Sequence, residues 1–334
     1  MSALARRIVV RVGQAIPVLL IVAVAVFALL EVSEGDAVDA YLAETGAAGD
    51  DAFIAALRER YDLADSLPGR FAAYLTRLVT LDLGPSIAFG RPVVEVIGER
   101  LPTTLLLMGL ALVLASFVGS ALGAMAALRR GHLSDGVITG LALVLNATPG
   151  FLVGLVALIV FAVSLRWLPL GGLATFGREA GGLAGVLDTA RHLVLPVMTL
   201  TLTYLALYVR LMRSAMVETT SALWVTAARA RGVRGRRLLL RHKVRPALAP
   251  VVTMVGIQAG AMLGGSVVVE TVFAIPGLGS LAYGAVAQRD LLLLAGILLT
   301  GAVMVMVANL VVDILYGVID PRIRHGAGPL DKAP

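Results

Sequence analysis

From Leu101 to Leu128 the chain runs for 28 residues without a single Asp, Glu, Lys or Arg. A run of that length matches the hydrocarbon thickness of a bilayer, where no water satisfies backbone amides, so the segment must bond its own amides as an α-helix. Five further runs are predominantly apolar, at about 12–30, 137–164, 193–213, 247–269 and 291–316, with Arg210, Arg213 and Asp313 as their charged residues, near the ends. Six transmembrane helices are therefore expected, and the fold class is an all-α polytopic membrane protein. The composition agrees: 58% of residues are apolar and 15% charged, against about 25% charged in soluble domains. The first run follows Arg6, Arg7 and Arg11, as in a signal peptide, but it is too long for such a core and no A-x-A site follows, so an uncleaved helix is expected.

Charge sorts by loop. With the N-terminus placed inside the cell, the inner segments hold 18 basic and 5 acidic residues, and the outer ones 10 basic and 17 acidic. This basic bias sets orientation and places both termini in the cytoplasm. It also accounts for the net charge of +6 without nucleic acid as a partner. The absence of cysteine excludes disulfides and thiolate metal sites, and the four scattered histidines have no ligand spacing. The expected organisation is residues 1–30 for the cytoplasmic N-terminus and first helix, 31–100 for an extracytoplasmic subdomain, 101–316 for a five-helix core, and 317–334 for a cytoplasmic tail. In the outer segment, Phe53, Ile54, Leu57 and Tyr61 mark one amphipathic helix, and Leu67, Phe71, Leu75 and Leu78 a second.

The densest charge lies in "TAARARGVRGRRLLLRHKVRP", residues 226–246, with eight Lys and Arg among 21 positions. A topology anchor needs charge but no order. Here "SALWVTAARARG" is rich in helix formers and stops at Gly232, a natural C-terminal breaker, while Ala227, Ala228 and Ala230 form a small-residue surface suited to close docking. A helix, a glycine bend and a second helix describe a folded cytoplasmic element.

"TAARARG" followed by "RRLLLRHKVRPALAPVV" resembles the EAA loop of binding-protein-dependent ABC importer permeases. In that family E-A-A-x-x-x-G is followed ten residues after the glycine by I-x-L-P. Thr226, Ala227 and Ala228 fill the E-A-A slots and Gly232 the glycine, while His242 to Arg245 occupy the second slot without matching it. The segments "GDAVDAYL", "LRERYDLADSLPGRFAAYLTRLVTLDLGPSIAFGRPVVEVIGERLPTTLLL", "ATPGFLVGLVALIVFAVSLRWLPLGG", "GGSVVVETVFAIPGLGSLAYGAVAQRDL" and "NLVVDILYGVIDPRIR" are similar to the dipeptide/oligopeptide/nickel branch. The resemblance covers about residues 8–324. It implies the type I ABC importer fold, with residues 214–246 as the coupling loop.

It further implies a chain with no catalytic group and no cofactor of its own. ATP and Mg2+ would be bound by two ATPase subunits. The other partners are a second homologous permease, an extracytoplasmic substrate-binding protein, the lipid bilayer of a bacterial or archaeal cytoplasmic membrane, and a dipeptide or oligopeptide substrate. Nickel chelates and glutathione are the alternative cargo. By that resemblance Ala227 and Ala228 form the ATPase contact, Gly232 the turn, and Arg229, Arg231 and Arg234 partner acidic residues of the ATPase, with Thr226 where glutamate is usual.

Polar residues inside spans are costly and tend to face a cavity or another helix. Asn146 and Gln258 are candidates for the translocation path, with an interhelical hydrogen bond as the other reading of each. Asp313 is expected to pair with Arg322 or Arg324. Thr148-Pro149-Gly150 predicts a helix break. Gly256, Gly260 and Gly264 recur every fourth position, for packing inside the subunit or for a face against the second permease. Gly119 and Gly123 repeat the motif for packing alone. After the fifth span, Pro276, Gly277 and Gly279 mark a turn that serves as scaffold, outer gate or dock for the binding protein. Glu270 and Asp290 are candidate acceptors for that protein's basic residues, and the 31–100 segment, at net −7, is the other dock.

Two rival classes fit less well. An intramembrane enzyme needs a catalytic constellation, and the chain has no H-E-x-x-H, no G-x-S-x-G and no paired intramembrane carboxylates. A secondary transporter needs ionisable groups at mid-membrane, and none of the mid-span positions is charged.

Overall fold

The computed structural model describes residues 3–32, 67–175, 177 and 182–319. Almost all of them are helical, and the single β-bridge, Pro85 to Pro92, is isolated. The elements are α1 (Ala3–Val32), α2 (Leu67–Thr80), α3 (Val93–Leu128), α4 (Leu133–Ala147), α5 (Gly150–Ala157), α6 (Gly182–Ser221), α7 (Leu223–Ala230), α8 (Gly235–Arg237), α9 (Arg245–Val272), α10 (Leu278–Ala287) and α11 (Leu291–Ile319). A π-helical turn, Leu158–Ser164, prolongs α5, and another, Leu238–Val244, joins α8 to α9.

Three helices are long and apolar enough to cross a membrane: α3, α6 and the Leu291–Val312 part of α11. Two bent pairs bring the number to five among the described residues, while the apolar part of α1, Ile16–Glu31, is shorter. The expected span 137–164 is one of these pairs, broken where Thr148-Pro149-Gly150 predicts. α4 and the helix Gly150–Ser164 meet at 102°, because Thr148 and Pro149 take extended backbone and proline disfavours helix in the residue before it. The fifth span is also bent, by 57° between Gly235–Met262 and Gly264–Val272.

The chain forms two compact units. In the unit built from Leu105–Ile275 and flanking ends, α6 is the central pillar, with 67% of its most apolar stretch buried. Tyr208, Met212 and Met216 on α6 pack with Ala115 of α3 and with Ala247 and Val251 of α9. Leu205, Ala206 and Val209 pack on Ala142 of α4. Lipid tails are as apolar as leucine, so this association depends on close fit rather than on escape from water. Gly119 and Gly123 provide the fit: a Cβ on Gly119 would lie 2.7 Å from Tyr208 Cβ, and one on Gly123 would strike the Val209 carbonyl. α5 approaches α6 in the same way, Gly150 against Thr203 and Gly154 against Thr199.

The unit built from Ile8–Thr104 and Pro276–Met306 has a core of Val93, Val96 and Ile97 with Leu278, Leu281, Leu293 and Ile297. Thr104 Oγ1 accepts the Leu278 amide at 2.7 Å. The second expected outer helix is α2. Its Phe71 stacks edge-on against Phe27 of α1 with ring centroids 5.1 Å apart, and Arg70 pairs with Glu31 at 2.9 Å. The first expected outer helix, around Phe53 to Tyr61, lies outside the described residues.

Candidate functional site

α6 ends at Ser221, and one extended residue, Ala222, separates it from α7. α7 stops in a Schellman arrangement. The Gly232 amide donates to the Arg229 carbonyl at 2.9 Å, and the Val233 amide to the Ala228 carbonyl at 3.1 Å. That geometry requires the left-handed conformation at Gly232, whose φ is +82°, so glycine is the residue without a steric penalty there. Val225 and Ala228 then pack on Leu238, with Val233 closing the small core. The segment is a folded element tied to α6 at one end and to α9 through the π-helical turn at the other.

Its outer face carries Thr226, Ala227, Arg229, Arg231 and Arg234, all exposed. Leu223 and Trp224 at the start of α7 are exposed as well, at 86% and 54%. Sequence reasoning missed these two, because their spacing reads equally well as an inward face. Ala228 requires the opposite correction. It has no accessible surface, so it serves the internal core of the loop, and Ala227 alone of the pair is presented outward. Arg231 Nε donates to the Ala227 carbonyl at 3.3 Å, capping the helix end. Arg229 and Lys243 repel each other, and Arg229 and Arg234 form no ion pair among the described residues. The result is an exposed cationic face on a packed loop, beside an apolar edge.

The span candidates separate. Asn146 Oδ1 accepts a hydrogen bond from Arg210 Nη2 at 3.0 Å. Gln258 is buried and bonded to the Tyr204 hydroxyl. Both therefore make interhelical bonds. The glycine stripe of α9 is not uniform: Gly256 faces Val312 of α11, whereas a Cβ on Gly264 would meet nothing within 4 Å. Gly265, beside it, is the position that lies against the Tyr204 hydroxyl. The side chain of Asp313 and the arginines expected to meet it lie outside the described residues.

On the outer candidates the structure makes two corrections. Glu270 and Asp290 are both wholly buried and present no surface to a docking protein. Asp290 Oδ2 accepts the Ser86 hydroxyl and the Ala88 amide, at 2.5 and 3.1 Å, and its Oδ1 accepts the Leu293 amide at 3.0 Å. Gly277 is the N-cap of α10, its amide donating to Ser280 Oγ at 3.1 Å, with Pro276 half-buried before it.

Residues 119–325, which include the whole folded loop, match the family of binding-protein-dependent transport system inner membrane components. This chain belongs to that family. The permease is 38% identical to a putative peptide permease protein of Brucella ovis, over 92% of this chain and 95% of the relative. It is 35% identical to an oligopeptide transport system permease protein of Bacillus subtilis, over 96% of this chain and all of that one. Its fold is similar to that of the MetNI methionine ABC transporter in an inward-facing form, with a TM-score of 0.54 at 15% identity, covering 68% of this chain and 97% of the other. The permease is a multi-pass membrane protein and not itself an enzyme.

One constellation in the permease escaped the sequence reading. Asp135, in the first turn of α4, is 6% exposed. It receives Arg213 of α6 in a two-pronged pair, Nε at 2.7 Å and Nη2 at 2.8 Å. The Gly131 amide and the Thr139 hydroxyl also donate to it, at 3.2 and 3.4 Å. The available signal was a lone acid in an otherwise basic inner loop; counting charges by loop did not ask for its partner.

Proposed function

We propose that the chain is one of two permease subunits of an ATP-driven importer that carries dipeptides or oligopeptides across a bacterial cytoplasmic membrane. The cargo is delivered by an extracytoplasmic binding protein, and both termini lie inside the cell. The names of the relatives support the peptide class, and the sorting of basic residues supports the orientation. The observation that carries the reading is the folded loop α7–Gly232–Leu238, whose exposed face is cationic with Leu223 and Trp224 at its edge. Each of two ATPase subunits, with bound ATP and Mg2+, receives such a loop from one permease: acidic groups meet Arg229, Arg231 and Arg234, and an apolar socket takes Leu223 and Trp224. Closure of the ATPases then moves α6 and α9, because a packed loop transmits displacement where a floppy one would absorb it.

Reconstitution of both permeases, the ATPases and the binding protein in proteoliposomes tests this directly. Uptake of a labelled dipeptide is expected to require ATP, and Gly232→Pro is expected to abolish it while the subunit still inserts. Proline cannot adopt the φ of +82° found at that residue and lacks the amide bonded to Arg229. ATP-dependent uptake undiminished in Gly232→Pro would contradict the role of the loop. A binding protein whose melting temperature rises with a nickel chelate or glutathione, and with no peptide, would contradict the cargo.

A further inference from the structure

We infer that Asp135 and Arg213 are positioning residues that pin the first limb of the broken helix to the pillar carrying the coupling loop, so that loop and elbow move as one piece. The inference rests on the functional reading above. Three observations converge on it.

First, the pair is built for holding. A carboxylate that accepts two guanidinium N–H groups, an amide and a hydroxyl has its lone pairs nearly saturated. The two-pronged geometry fixes direction as well as distance, which a single lysine contact would not. Asp135 also lies in the first turn of α4, where the helix dipole favours an anion.

Second, α4 is held at both ends by the same helix. Asp135 at its start is bonded to Arg213, and Asn146, one residue before its end, to Arg210. Between the ends the contact is made by Ile138, Ala142 and Leu145 against Leu205, Ala206 and Val209. Those surfaces are apolar and fix distance by close fit, whereas the polar bonds at the ends also fix direction.

Third, the pinned elements sit where force would enter and where shape would change. Arg213 lies eight residues before Ser221, about 12 Å along the axis of α6, and Ala222 alone separates α6 from α7. Asn146 stands beside the 102° elbow at Thr148-Pro149. A displacement of α7 is thus delivered by α6 to both ends of α4, and so to the elbow. Without the pin, the loop still follows the ATPases, but α4 lags behind.

The test is the number of dipeptides transported per ATP hydrolysed by the full complex in proteoliposomes. Asp135→Asn and Arg213→Lys are expected to keep ATPase stimulation by the loaded binding protein while the ratio falls at least roughly fivefold. Two variants should restore it. One is the exchanged pair Asp135→Arg with Arg213→Asp. The other is Asp135→Cys with Arg213→Cys joined by a short bis-methanethiosulfonate, each thiolate displacing methanesulfinate to form a mixed disulfide, with no cysteine native to the chain to compete. An unchanged ratio in Asp135→Asn, including one in which ATPase and transport fall together, identifies a merely stabilising pair and overturns the inference. So does an assembled complex of both restoring variants whose ratio stays at the low value. If the unmodified complex shows no ATP-dependent dipeptide uptake, the functional reading has failed instead, and the two failures are distinguished by that first measurement.

Discussion

Asp290 shows how a residue's role depends on partners that are remote in the chain. Beside a polar turn it reads as an exposed acid, yet Ser86, some 200 positions earlier, donates to it in the interior. Removing the carboxylate strands three donors at once, and a buried donor left unpaired costs more than the bond itself contributes. Asp290→Ala should therefore lower stability by about 3 kcal/mol, read as a drop in the melting temperature of the detergent-solubilised subunit. Glu95→Gln at the exposed Arg91 pair should leave that temperature where it was, since surface pairs contribute little. Equal effects would contradict the burial argument. Gly232 was legible at this scale, because a glycine after a run of helix formers has a local cause. Asp290 was not, because its partners are remote in the chain, and Ala228 was not, because its burial depends on how the loop folds back on itself after Gly232.

At the scale of elements, the breaks and crossings follow from two residue types. Pro149 announces the elbow from the sequence, since its effect on the preceding residue is local. Its angle, 102°, depends on how α5 lies against Thr199 and Thr203 of α6. Glycine stripes are harder to read. The α9 stripe is regular in sequence and not uniform in its contacts, whereas on α3 both Gly119 and Gly123 let α6 approach to backbone contact. Gly123→Leu should force the helices apart and cost about 1–3 kcal/mol or more, seen as early unfolding of the solubilised subunit. Gly264→Leu, where a side chain meets open space, should leave the subunit's stability unchanged. Loss of co-purification with the second permease in that variant would assign Gly264 to the subunit interface; intact co-purification would remove it from that role. Similar destabilisation by both substitutions would contradict the packing described.

For the whole molecule, six apolar runs specify helices in a membrane, and the lopsided charge distribution predicts a direction of insertion. Direction is testable with single cysteines in a chain that has none. Val79→Cys on α2, 85% exposed, should react with an impermeant maleimide in intact cells. Arg236→Cys, exposed within the basic loop, should react only after permeabilisation. The reverse pattern would overturn the orientation.

The amino-acid sequence alone determined the helical class, the placement of the runs and the existence of a folded basic loop. Helix formation in lipid, charge bias and glycine termination all act within one segment. Only the tertiary structure decided that Asp135 meets Arg213, that Ala228 turns inward and that Asp290 is sealed from solvent. The two carboxylates depend on partners 78 and 204 residues away, whose matching distances arise only when whole helices pack, and Ala228 on the fold-back that brings Leu238 over it.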